Sequence, residues 1–166
     1  VACLAVWSVA LPAAQAGSLV IPAWSFARGN ARVYASPHQY ADTGPVVGSG
    51  PEQPWGWSVE YDIDFPVTAE YTLQVSYAAA EARPVDVLLD GKNLGRSCYG
   101  VTPGTARTEY PVRFSWSSRY AKWEERPLKL SVTEGKHTLK FARSGPLPHL
   151  VSLRLDSSAA FPKDWK

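Results

Sequence analysis

The chain has 166 residues, 45% of them apolar and 19% charged, with a formal net charge of +2. That is enough for one domain with a real core and too apolar for a disordered chain. With no basic cluster, charge gives no case for nucleic acid.

Residues 1–16 read as a partial signal peptide. Val1 to Leu11 is almost wholly apolar, Pro12 follows, and Ala14-Gln15-Ala16 forms a small-x-small cleavage signature before Gly17. The run is too short to span a bilayer, so no membrane partner is expected. The reading implies a secreted or periplasmic protein; the competing reading is a buried first strand or helix. The sequence opens on Val1 and contains no methionine, so further residues are expected upstream. Cys3 would leave with the signal, and it sits too early for a lipoprotein cleavage point. Cys98 then remains without a partner, either buried as a small hydrophobe or a free thiol. Burial beside Tyr99 is expected.

Leu19-Val20-Ile21-Pro22 reads as an edge strand, because Pro22 cannot donate to a ladder. Trp24 and Phe26 follow, and Arg28-Gly29-Asn30 turns the chain. Ala31 to Ala35 alternates weakly and is a second strand candidate. Ser36 to Gln53 is punctuated by Pro37, Gly44-Pro45, Gly48 and Gly50-Pro51 and reads as a long loop, a kind of segment that is often functional. From Trp57 to Phe65 the odd positions are apolar and the even ones polar, which is a half-buried strand. Tyr71, Leu73, Val75 and Tyr77 resume the alternation after Pro66. Val85 to Leu89 makes a third run, closed by the hairpin turn Asp90-Gly91. These three strands predict an antiparallel meander. Gly95 to Thr108 reads as a second irregular segment, and Val112 to Trp116 as a short strand. Ser117 to Arg126 is either a strand pair or one helical turn. Leu128 to Val132 and His137 to Phe141 flank a turn at Glu134-Gly135. Leu150 to Leu155 is the last strand, with Val151, Leu153 and Leu155 on one face.

Many short strands with turn signals between them predict an all-β, two-sheet antiparallel β-sandwich of jelly-roll type, the alternative being a closed barrel. Residues 17–158 form that domain, and 159–166 read as the start of a linker.

The chain carries no nucleophile elbow and no Cys-x-x-Cys or His-x-x-x-His metal spacing. Glu60, Asp62 and Asp64 share one strand face, which suits a solvated surface better than a cation site or a glycosidase carboxylate pair. Glu124 and Glu125 likewise read as solvent-facing. Of the histidines, His38 falls in the proline-rich loop, His137 reads as a structural hydrogen-bonding residue, and His149 stands at the mouth of the last strand. No catalytic residue, metal or cofactor is expected.

The aromatics that fall in or beside loops carry more information. Seven tryptophans and eight tyrosines exceed what the strand pattern absorbs. Sugar rings present an apolar C–H face that stacks on flat aromatic rings, and their hydroxyls need hydrogen-bond partners. Tyr40, Trp55, Trp116, Tyr120 and Trp123, with His149 beside them, are the candidate sugar-binding residues. The competing role is plugging the open ends of the sandwich.

Three stretches carry a family resemblance: Trp57 to Phe65, Ala69 to Tyr77 and Val85 to Gly91. They resemble carbohydrate-binding modules of the galactose-binding-like β-sandwich group. Glu134 to Leu139 resembles that group's closing hairpin, and Pro148 to Leu155 its last strand. The resemblance implies a structural calcium held by acidic residues near the first and last strands. Ile21-Pro22-Ala23 and Val151 stand at those places here, so little metal dependence is expected. It also implies a sugar-binding asparagine before the last strand, where this chain has His149. Such modules are usually attached to larger exported enzymes, so other domains of such a protein are expected partners. The expected function is non-catalytic carbohydrate binding, with a spacer or protein-interaction sandwich as the alternative.

Overall fold

The computed structural model describes residues 16–36, 40–50, 55–102 and 116–165. The apolar run of the signal reading, His38 and residues 112–115 of the expected short strand lie outside them. Twelve strands are described, β1 (Ser18–Pro22), β2 (Arg28–Gly29), β3 (Arg32–Tyr34), β4 (Val46–Gly48), β5 (Trp57–Phe65), β6 (Ala69–Ala78), β7 (Val85–Leu89), β8 (Lys92–Ser97), β9 (Lys122–Trp123), β10 (Leu128–Val132), β11 (Gly135–Arg143) and β12 (His149–Ser157). They form two antiparallel sheets. The first runs β10-β6-β12-β4-β3, with β1 beside β12 and β9 beside β6; the second runs β2-β5-β11-β7-β8. This is the expected β-sandwich.

The two-residue alternation of β5 and β6 places Trp57, Val59, Tyr61, Ile63 and Phe65 against Tyr71, Leu73, Val75 and Tyr77 in the shared core. The expected meander is not formed, however. β5 and β7 belong to the second sheet and β6 to the first, so the Pro66–Thr68 link crosses between layers. Alternation specifies which face is buried and is silent on which neighbour a strand pairs with.

Four further expectations change. Val46–Gly48, expected as loop, is a wholly buried strand paired to β3 and to Leu150. Arg28–Gly29, expected as a turn, pairs with β5. Gly95 to Ser97, expected as irregular, completes β8 against β7 through a bulge. A bulge between Leu150 and Ser152 makes Leu150 and Leu153 the core residues, leaving Val151 half-buried. Asp90 and Gly91 do form the hairpin turn, both at positive φ (49° and 81°). Ser117 to Arg126 contains both alternatives, a 3-10 turn at Ser118–Tyr120 followed by β9.

The strand directions give the sandwich two unlike ends. At one, the hairpin at 90–91 and the turn at 133–134 are tight. There too Gly17 donates to Ala159 O at 3.1 Å, and Phe161 packs over Gly17 and against the core. The other end carries the described residues 49–50, 55–56, 79–84, 98–102, 116–121 and 144–148, with residues 40–43 bonded to it through Ser117 and Ser118.

Candidate functional site at the loop end

Three expected site residues come together where β12 begins. His149 is 7% exposed, and its ring lies 4.6 Å from Tyr40, 5.3 Å from Trp116 and 5.6 Å from Tyr34 between centroids. Its Nδ1 is 2.6 Å from the Trp116 carbonyl oxygen, so it donates there. Gly48 leaves it room, since a Cβ at that position would lie 2.6 Å from the imidazole. Burial, with Arg83 nearby, pulls the His149 pKa down to about 4. The imidazole is therefore neutral under ordinary conditions.

Trp116 is only 7% exposed. The Arg83 guanidinium lies 3.9 Å from its ring centroid and covers one face of the indole. Arg83 is held there by Glu81 at 2.6 Å and the Leu147 carbonyl at 3.1 Å. Asp42 accepts from Ser117 at 2.7 Å, and Thr43 N donates to Ser118 Oγ at 2.9 Å. The two loops are thus knitted together, with Tyr120 half-buried on the 3-10 turn. Tyr34 and Arg83 were not singled out in the sequence. Tyr34's place in a weakly alternating strand and the basic residue before Pro84 are the only signals.

Trp55 stands apart. Its indole is 90% exposed beside a recess of about 400 Å³ on the outer face of the second sheet. The recess has a plain origin. Ser58, Ala142 and Asp86 are adjacent across β5, β11 and β7, and the short Ala142 leaves a dip between its neighbours. Asn30 fixes the approach, donating to Gly56 O at 2.9 Å and accepting from Ser58 N at 2.8 Å. Gly56, at φ 82°, lies so close to Arg143 O that a Cβ would come within 2.4 Å.

Trp123 is on neither site. It pairs with Ser76 on the outer face of the first sheet, 38% exposed, with Arg154 at 4.9 Å from its ring. Its neighbour Glu124, expected in solvent, is buried. Glu124 accepts from Tyr99 N at 2.8 Å and Arg126 N at 3.1 Å, which satisfies the carboxylate inside the fold.

Glu60 and Asp62 are also engaged within the fold. Arg28 binds Glu60 at 3.0 Å and Asp62 at 2.6 Å, and Lys140 binds Glu60 at 3.0 Å. Their hydrogen bonds hold the Glu60 and Asp62 carboxyls below the usual range, the opposite of a general acid. His137 lies 2.6 Å from Asp90 and 3.0 Å from Thr133 O. Cys98 is buried, which pushes its thiol up.

The residues at the calcium places of the resemblance do not fit a metal. Ile21, Ala23 and Val151 offer no side-chain oxygen. The Ala23 carbonyl already accepts from Tyr61 Oη at 2.7 Å, and that of Ile21 from Ser152 Oγ at 3.3 Å. Among the described residues no group of three or more His, Cys, Asp or Glu is placed to hold a metal ion. Nor is any described helix long and apolar enough to cross a membrane.

No family model matches the chain, and no curated protein matches it in sequence. Solved structures do match in fold. A family 35 carbohydrate-binding module from Clostridium thermocellum is 16% identical, covering 86% of this chain and 99% of its own, at a TM-score of 0.62. A family 6 module of a laminarinase from Zobellia galactanivorans is 16% identical, covering 85% of this chain and 100% of its own, at 0.62. An exo-β-1,3-galactanase from Phanerochaete chrysosporium is 15% identical over 82% of this chain but 28% of its own, at 0.56. The fold is that of these modules, a galactose-binding-like β-sandwich.

Proposed function

We propose that this chain is a non-catalytic carbohydrate-binding module of an exported protein, taking sugar through aromatic side chains at the loop end. The observation that carries the reading is the set of aromatic rings at the loop end, the half-buried Tyr34 and Tyr40 beside His149 and the open indole of Trp55. Rigid aromatic rings beside loop hydroxyls and amides are the equipment a sugar needs. The fold shared with solved sugar-binding modules supports it, as does the 28% share of the galactanase that the chain matches. That share also supports attachment to other domains. Cleavage between Ala16 and Gly17 would release a domain whose first described contacts begin at Gly17.

The reading is tested by titrating the purified chain with a panel of oligosaccharides while following tryptophan fluorescence. Saturable binding to one sugar class is expected; no binding across the panel overturns it. A second reading, a spacer or protein-interaction sandwich, is favoured by one fact: Arg83 covers the face of Trp116. In that case the loop-end rings serve only to close the core.

A further inference from the structure

We propose that residues 159–165, which read as the start of a linker in the sequence, form a strap seated across the tight end of the sandwich. Gly17 is its seat and Phe161 its anchor. The strap stands whether or not the chain binds sugar.

Composition alone favours a linker, since Ser157-Ser158-Ala159-Ala160 is small and polar and Pro162 follows. The fold holds the segment all the same. Ser157 N donates to Gly17 O at 2.8 Å and Gly17 N to Ala159 O at 3.1 Å, so the pairing of β1 with β12 runs on into the tail. Ser158 N donates to Glu70 O at 2.8 Å, and Ala159 N to Ser157 Oγ at 3.0 Å. In a linker these groups would be left to water.

Phe161 then lies over Gly17 and packs against the core, 6.5 Å from the Tyr71 ring. A Cβ at position 17 would stand 2.2 Å from the Phe161 ring. Gly17 is not among the glycines at positive φ, so the ring above it, and not the backbone, is what calls for glycine there. Past Phe161 the chain turns back. Trp165 N donates to Pro162 O at 3.1 Å, which sets the indole edge-on to Phe161 at 5.2 Å, beside Pro66 and the turn at 134–135. The fixed φ of Pro162 lowers the entropy lost in ordering this turn. The strap thus ties the end of β12, the start of β1 and the link between β5 and β6. Chain termini fray first unless tied down, and here the strap holds the start of β1. In a larger protein of the kind proposed above, residues past Trp165 would leave from a fixed point at the tight end, away from the ring cluster around His149.

The test is NMR relaxation of backbone amides in the purified chain, with melting temperatures of three variants. In the parent, residues 159–165 should be as ordered as the strands, with order parameters of about 0.8 or more. Gly17→Ala should drop them below about 0.6 and lower the melting temperature by about 5 °C, and Phe161→Ala should do the same. Once Phe161 is alanine, Gly17→Ala should add almost nothing, because the ring it would meet is gone. Order parameters below about 0.6 in the parent overturn the strap. That measurement needs no variant, so it decides the matter even where a variant fails to fold. A Gly17→Ala chain that keeps both its ordered tail and its melting temperature overturns Gly17 as the seat, and so do losses that add in the double variant.

Discussion

Trp116 and Trp55 stand at the same end of the sandwich, the first 7% and the second 90% exposed. Trp116 has Arg83 on one face and His149 against it, and its own carbonyl anchors that histidine. Trp55 projects from a backbone held by Asn30 and Gly56, with open space over its ring. Where a ring's neighbours are protein, its energy is spent on the fold. Where they are solvent, the energy is available to a ligand.

Substitution sharpens the contrast. Trp116→Ala should cost ~3–5 kcal/mol of stability, the range for a buried aromatic truncated in place. Trp55→Ala should change stability by less than about 0.5 kcal/mol, as surface substitutions do. Chemical denaturation of the two variants side by side measures the gap, and equal losses would erase the distinction.

Acid should break the buried side first. The folded His149 titrates at about 4, below its ordinary 6.5, so between those values the unfolded chain binds a proton that the folded chain refuses. The stability from keeping it neutral is complete above about pH 6.5 and is lost as pH falls through about 4. The loss is ~3 kcal/mol from the linkage relation. Asp62 and Asp90, held low by Arg28 and by His137, lose their contributions only at still lower pH. Melting temperature against pH should therefore decline from about 6.5 downward, and His149→Gln should flatten that stretch. An unaltered slope in the variant would remove His149 as its cause.

A smaller effect is expected at Glu124, the acid that ties β9 to the segment after β8. Glu124→Gln keeps the shape but gives up a charged acceptor serving two backbone N–H groups, at ~1–3 kcal/mol. Thermal unfolding measures it, and no change would mean that the two amides find other partners.

Trp123 lies between the extremes. Trp123→Ala gives up the Arg154 contact, ~1 kcal/mol for a partly exposed cation–π pair. Sugar titration of the same stable variant shows whether this outer-face ring takes part in binding; unchanged affinity removes it from the site.

The alternation of β5, β6 and β11, the Asp90-Gly91 hairpin and the burial of Cys98 could all be read from the residues. Each depends on a period or a turn chemistry that a few neighbouring residues specify. The layered all-β architecture follows from many such strands needing cover for one face. Tertiary structure alone decided that β5 and β6 lie in different sheets, because a strand's apolar face fits either layer equally well. It also decided that Val46–Gly48 is a strand, since three residues among glycines and prolines are too few to show a period. Glu124 read as exposed because charge predicts solvent, until two backbone amides in the fold supplied its partners. Among the loop aromatics, composition identified the residues and could not sort them. Whether a ring is capped by Arg83, set beside Arg154 or left open over Ala142 depends on neighbours brought from distant parts of the chain.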